Sequence, residues 1–202
     1  AEVEFIDTDP KNGNMDLNFF ARHLAEKTDV VIPVHFAGLP VDLEKLNLLI
    51  DCDQTIIIED ASHALGAKYA DGSMVGCCKY SECTVFSFHP VKIITTGEGG
   101  IVTTNDENIY KELLRLRSHG INKLNDSFEN KSLAFEQGKL NPWYYEMQTM
   151  GYNYRLTDIQ AALGISQLCR LDENFEKRQK IALYYDECFL NTEGITPLQV
   201  AG

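Results

Sequence analysis

The chain has 202 residues, with 18 Lys and Arg set against 30 Asp and Glu, for a formal charge of −12. At 44% hydrophobic and 24% charged residues it is an ordinary globular sequence, long enough to bury a core without disulfide or metal staples. The acidic balance speaks against nucleic acid or an anionic membrane surface as a partner, because both are met by Lys and Arg, and no apolar run reaches the about 20 residues needed to cross a bilayer.

In chain order, residues 3–7 (VEFID) read as a strand. Residues 15–27 have helical apolar spacing at Leu17, Phe20, Ala21 and Leu24, with Asp16 where a cap would sit. Residues 30–36 (VVIPVHF) are a β-branched strand candidate, 42–50 a helix with an aspartate near its start, and 55–59 (TIIIE) a buried strand. Further strands are expected over 82–88 and 99–104, and an amphipathic helix over 106–117. Continuous apolar strands alternating with helices mean a parallel sheet covered by helices, and ligands then belong at the carboxyl ends of the strands.

Beyond Ser118 the texture changes. Residues 122–141 are polar and read as a loop or insertion, and Trp143, Tyr144 and Tyr145 form an aromatic cluster. That cluster could wall a ligand site, although interface or core packing is the plainer reading. Residues 157–171 and 174–189 read as helices, with Thr157 as a cap, and 191–202 as a strand or linker.

Six cysteines are present: Cys52, Cys77, Cys78, Cys83, Cys169 and Cys188. Cys77, Cys78 and Cys83 lack the spacing of a zinc site and no histidine follows closely, so no metal is expected. Glu2 and Glu4 stand where a secretory leader would carry basic residues. Unpaired cysteines and the lack of a leader place the chain, as an expectation, in the cytoplasm, where disulfides are rare.

Three segments share one address, the carboxyl end of a strand. Asp60 and His63 lie in EDASHALG directly after TIIIE. A carboxylate in such a crevice calls for a cation partner, but on spacing alone Asp60 reads first as a helix N-cap. His63 could face the same crevice, or be a satisfied structural histidine. Ser87, His89 and Lys92 lie in TVFSFHPVK. A lysine held in a crevice is an amine nucleophile able to form imines, and the bland alternative is a surface lysine. The following TTGEGG lacks the G-x-x-x-x-G-K pattern of an NTPase phosphate loop. The third segment, GYNYRLTD at 151–158, reads by itself as a loop-to-helix boundary.

Together, EDASHALGA, SFHPVK with TTGEGG, RSHG, and GYNYRLTDIQAALG resemble, in order, the DegT/DnrJ/StrS nucleotide-sugar aminotransferases, which depend on pyridoxal phosphate (PLP). The resemblance runs from Val3 to about Phe189. The texture of DASHALG, LRSHGI and PWYYEMQ looks most similar to the subgroup acting in pseudaminic acid biosynthesis, a source of flagellar and surface glycans.

The resemblance implies an α/β fold of PLP fold type I, a mainly parallel sheet flanked by helices. Residues 1–120 would belong to the large cofactor-binding domain, 121–150 to an insertion, and 151–202 to helices leading toward a small C-terminal domain. It also implies roles. Lys92 would be the catalytic lysine bonded to the cofactor, Asp60 the partner of the pyridinium nitrogen, His63 of the ring hydroxyl and Ser87 of the phosphate. Asn153 would reach the phosphate of a neighbouring subunit's cofactor, making a homodimer with its sites at the interface. His119, His89 and Tyr154 would lie near the substrate, and His35 in VHFAG is a matching position without a derived role. The implied substrates are L-glutamate and a nucleotide-linked 4-keto-6-deoxy sugar, so neither nucleic acid nor membrane is a partner.

Members of the family are much longer. An N-terminal phosphate-binding segment, a ring-stacking aromatic and a small domain have no counterpart here, so the chain is expected to be an internal stretch, truncated at both ends, that in isolation could be inactive. A sugar dehydratase of the same fold would carry histidine in place of Lys92, and a non-catalytic sensor or scaffold would have lost Lys92 or Asp60. Both residues are present. A Rossmann-type module would need G-x-G-x-x-G after the first strand, where DPKNG stands instead.

Overall fold

The computed structural model describes residues 2–23, 28–51, 53–122 and 128–198. Helix α1 (Leu17–His23) is followed by β1 (Val30–Val31), a 3₁₀ turn at Phe36–Gly38, α2 (Leu43–Asn47), β2 (Ile56–Asp60), β3 (Cys83–Ser87) and β4 (Gly100–Thr103). Then come α3 (Glu107–Leu116), β5 (Ile121–Asn122), α4 (Lys131–Ala134), β6 (Phe135–Glu136), β7 (Lys139–Leu140), β8 (Glu146–Met147), α5 (Asp158–Leu168) and α6 (Leu171–Phe189). Contacts group these into two compact units, residues 1–105 with 158–202, and residues 106–157.

In the first unit the strands form one sheet in the order β1-β2-β3-β4. Strand β2 runs parallel to β1 and β3, and β4 is antiparallel to β3, so the sheet is mainly parallel, as expected. The β-branched run Ile56–Ile57–Ile58 suits this central position. Ile57 and Glu59 point to the buried face, whereas Asp60 shares the other face with Ile58. Leu17 and Phe20 of α1 and Leu43 and Leu46 of α2 close over the buried side with Val31, Ile57 and Phe86. Burying a leucine such as Leu46, at 0% exposure, is worth about 1.5–3 kcal/mol. The opposite side of β1 and β2 leaves Val30 and Ile56 exposed, as is Val34 beyond the end of β1.

The expected caps at Asp16 and Asp42 form, and Asp106 caps α3 as well. The Asp16 carboxylate accepts from the Asn18 and Phe19 N–H groups, Asp42 from Lys45, and Asp106 from Asn108 and Ile109, each worth about 1 kcal/mol.

Several boundaries differ from expectation. Residues 3–7 form no strand: Val3 and Phe5 are exposed, and the nearby chain makes only a bridge from Thr8 to Met15. With no neighbouring strand to pair with, a β-prone sequence stays irregular. Strand β1 stops at Val31 because Pro33 lacks the N–H that a ladder needs, and pairing resumes only as a bridge between Val34 and Asp60. The helix predicted over 15–27 is seen to His23, and its remainder lies outside the described residues. The two C-terminal helices span 158–168 and 171–189, and residues 191–198 form turns and extended chain without a strand.

The polar stretch 122–141 is more than a loop. Residues 123–127 lie outside the described residues, but Asn122 belongs to β5, and α4 with the β6–β7 hairpin follows. Phe128, Ala134 and Tyr144 form a small core, with the Phe128 and Tyr144 rings edge-to-face at 5.2 Å. Tyr144 is therefore core packing, and its neighbours Trp143 and Tyr145 are exposed. Among the described residues no helix is long and apolar enough to cross a membrane.

Candidate active site

Asp60 and Ser87 are the last residues of two neighbouring parallel strands. The register pairs Asp60 with Val85, and Ser87 is two residues further along β3, so both belong to the same face of the sheet at its carboxyl edge. Asp60 is held by the 33–35 segment at both its backbone groups: its N–H donates to the Pro33 carbonyl at 2.9 Å, and its own carbonyl accepts from the His35 N–H at 3.0 Å. Its Oδ1 accepts from the Ser62 N–H at 3.0 Å. The capping bond is thus realised, but it closes a turn, because no helix follows β2.

His63 and Lys92 line one cavity of about 580 Å³, with Phe36, Gly38 and Arg178 in the same wall. The Phe36 ring meets the His63 ring edge-on at 6.4 Å. Gly38 has φ +90°, and a Cβ there would lie 2.9 Å from the His63 carbonyl oxygen, so only glycine lets the 3₁₀ turn approach the His63 backbone this closely. Lys92 is half-buried. Its N–H donates to the His89 carbonyl at 3.0 Å, closing a turn around Pro90. Its carbonyl accepts from Arg178 Nη2 on α6 at 3.3 Å. Lys92 also lines a second cavity of about 450 Å³ with Thr95, Gln167, Asn174 and Arg178. Asp60 and Ser87 line neither cavity.

The glycine-rich segment after Lys92 closes on itself. Thr95 Oγ1 donates to the Phe88 carbonyl and Thr96 Oγ1 to the Glu98 carbonyl, and Gln160 Nε2 on α5 also bonds the Glu98 carbonyl. His89 is exposed, its N–H donating to Ser87 Oγ at 3.4 Å, and its Nε2 lies 4.0 Å from Glu98.

His119, Asn153 and Tyr154 belong to the second unit. His119 has φ +61°, and its N–H donates to the Tyr152 carbonyl at 2.8 Å. Asn153 bridges Ser118. Tyr154 is exposed and stacks on Tyr152 at 4.8 Å.

The residue that sequence reasoning missed is Glu59. It is fully buried, as are His35 and Thr84. Its Oε2 accepts from His35 Nε2 at 2.7 Å and from the Tyr69 hydroxyl, and its Oε1 from the Ser81 hydroxyl and from Thr84 Oγ1 at 2.9 Å. Burial pushes the carboxyl up, and the four hydrogen bonds outweigh it, leaving Glu59 below the usual glutamate value. The Tyr69 hydroxyl is pushed far up, by burial and by that same carboxylate. The signal was present in the sequence: in IIIED the glutamate falls at an inward position of a two-residue period, where a charge requires partners.

Cys78 and Cys83 are buried, and Cys77, Cys169 and Cys188 are exposed and free. Burial pushes the Cys83 thiol up. Among the described residues no cluster of His, Cys, Asp and Glu could hold a metal ion.

The DegT/DnrJ/EryC1/StrS aminotransferase family model matches residues 1–202. The chain belongs to this family. A Campylobacter jejuni UDP-4-amino-4,6-dideoxy-N-acetyl-beta-L-altrosamine transaminase is 43% identical over 192 residues, covering 94% of this chain and 46% of that protein. Among solved structures, Helicobacter pylori PseC, described as an aminotransferase of pseudoaminic acid biosynthesis, superimposes with TM-score 0.79 at 34% identity, covering 95% of this chain and 46% of that one. The Streptococcus pneumoniae putative sugar aminotransferase Spr1654, in its PMP form, gives TM-score 0.80 at 31% identity, covering 98% and 51%. The chain spans about half the length of the curated relatives it matches.

The donor set of this DegT-family chain fits a phosphorylated pyridoxal. Such a molecule needs a carboxylate for a ring cation, a hydroxyl for phosphate and an amine for an aldehyde. Asp60 and Ser87 share a sheet face, and Lys92 lies with His63 in one cavity wall.

Proposed function

We propose that this chain acts as a PLP-dependent aminotransferase, moving an amino group from L-glutamate to a nucleotide-linked 4-keto-6-deoxy sugar for surface or flagellar glycan synthesis. The observation that carries this reading is the cavity shared by Lys92 and His63, one turn beyond the strand ends that present Asp60 and Ser87.

In this reading Lys92 Nζ would hold the cofactor through its aldehyde and would be the base that takes up, and later returns, the proton of the donor α-carbon. The bound cofactor supplies an electron sink for the pair left behind on the α-carbon. Asp60 holds a proton on the ring nitrogen, Ser87 Oγ donates to the phosphate, and the His63 ring bonds the ring hydroxyl. The exchange balances as amino acid plus keto sugar giving 2-oxo acid plus amino sugar, with Lys92 returned to its starting state. Asn153 reaches the cofactor phosphate of a second copy in a homodimer, and His119, His89 and Tyr154 contact the sugar substrate. The exposed free thiols of Cys77, Cys169 and Cys188 favour a reducing, cytoplasmic compartment.

The test is a covalent trap. The protein is mixed with PLP, reduced with borohydride and digested. The pyridoxyl mass is expected on the peptide containing Lys92 and is expected to vanish in Lys92→Ala. Label on a different lysine, or none, would sink the assignment. A UDP-linked 4-keto-6-deoxy sugar is then supplied with L-glutamate, and 2-oxoglutarate is measured.

A further inference from the structure

Among the described residues of the first unit, the Glu59 carboxylate is the most completely enclosed charge, and the proposed reaction gives it no task. Its four donors are all uncharged. The Val41 N–H donates to His35 Nδ1 at 3.0 Å, so that nitrogen is an acceptor and the ring carries its single proton on Nε2, where it meets Glu59 at 2.7 Å. Tyr69, Ser81 and Thr84 contribute hydroxyls. A net negative charge is therefore held, not neutralised, one residue before Asp60 and on the opposite face of the same strand.

His35 links the two residues. Its ring holds the Glu59 side chain, and its backbone N–H holds the Asp60 carbonyl at 3.0 Å. The Asp60 N–H is tied in turn to Pro33. The ring cannot change tautomer without giving up the Val41 bond, so its geometry is fixed at both nitrogens. We propose that buried Glu59, clamped by His35, is a positioning residue for Asp60: it fixes the end of β2 and places a second negative charge behind the Asp60 carboxylate, favouring a cation beyond it. In a low-dielectric interior such a charge acts more strongly than it would in water. This inference rests on the reading of Asp60 as the partner of the cofactor's ring nitrogen.

Glu59→Gln is the informative change. The amide keeps the shape and can turn its oxygen to His35 and Tyr69 while the Ser81 and Thr84 hydroxyls rotate to accept from its nitrogen. The dissociation constant for PLP is measured by absorbance titration in wild type, Glu59→Gln, Asp60→Asn and the double variant. Glu59→Gln is expected to raise it about tenfold, the lower end of what partners that orient a binding group contribute. In the Asp60→Asn background the same change is expected to raise it less than about twofold, because coupled sites are not additive. The absorbance maximum of the bound cofactor is expected to move in the same direction in Glu59→Gln as in Asp60→Asn, a signature that general loosening of the fold would not produce. Should Glu59→Gln fail to fold, Tyr69→Phe removes one donor and is expected to show the same pattern on a smaller scale. An equal factor in both backgrounds, or no change in either, overturns the inference while leaving the proposed function standing. A wild-type chain that takes up no PLP overturns that function and the inference with it.

Discussion

Arg178 Nη2 donates to the backbone carbonyl of Lys92 at 3.3 Å, tying helix α6 to a turn 86 residues earlier in the chain. Both residues line both cavities of the site. A lysine that must reach a fixed carbon gains from a fixed backbone. Arg178→Ala should therefore act on the site more than on the fold. One hydrogen bond is worth about 0.5–1.5 kcal/mol, so affinity for PLP is expected to fall about 2- to 10-fold. Loss of thermal stability without any change in cofactor affinity would show that the bond serves only to hold α6.

The strand ends were legible because their chemistry and their grammar coincide. The IIIED and VFSFHP segments are β-branched or aromatic runs that stop at polar residues, and they did place Asp60 and Ser87 at the sheet edge. The cap at Asp42 was legible for a similar reason, since its bond is local. Strand status at residues 3–7 was not, because it depends on a partner strand that no local pattern reveals. The Glu59 network was hidden for the same reason: its donors come from positions 35, 69, 81 and 84, and nothing in their spacing announces that they meet. The small core of Phe128, Ala134 and Tyr144 was masked by the polar residues surrounding it.

Burial makes Leu46 the sensitive point of the first unit. It is 0% exposed and joins α2 to the core beneath β2. Leu46→Ala is expected to cost about 2–5 kcal/mol, read as a lowered urea midpoint. Leu48, on the same stretch but 83% exposed, should tolerate alanine with a change within about 0.5 kcal/mol. Equal losses at the two positions would contradict the packing described.

In the second unit Gly120 and Gly151 come together where His119 turns. Gly120 has φ +67°, and a Cβ on it would clash with the Thr149 carbonyl; one on Gly151 would clash with the Gly120 backbone. Gly97 also has positive φ, but open space surrounds it. Gly97→Ala is expected to cost only the conformational penalty, about 1–2 kcal/mol. Gly120→Ala should cost clearly more, since backbone rather than a flexible side chain must move. Comparing the two urea midpoints checks this, and a milder effect at Gly120 would refute it.

The same unit should carry a pH response centred on Glu146. This carboxylate accepts from the Tyr144 hydroxyl at 2.5 Å, from Gln148 Nε2 at 2.6 Å, and from the Asn130 and Glu129 N–H groups at 2.8 and 2.9 Å. Desolvation pushes it up, but these bonds prevail and hold it at about 2, below the usual 4.5. A carboxyl depressed in the folded state contributes stability that is present above its unfolded value and lost as pH falls through the folded one. The window is therefore from about 4.5 down to about 2. The hydrogen bond to Glu146 raises Tyr144 from 10 to about 12, so its share is present below pH 10 and lost as pH rises through about 12. The one tryptophan of the chain, Trp143, lies edge-on to the Tyr144 ring at 5.7 Å and reports on this unit. Its fluorescence is expected to change between about pH 4.5 and pH 2, and Glu146→Gln should remove that change, because an amide does not titrate there. An acid transition at Trp143 that persists unaltered in Glu146→Gln would assign the response to another group.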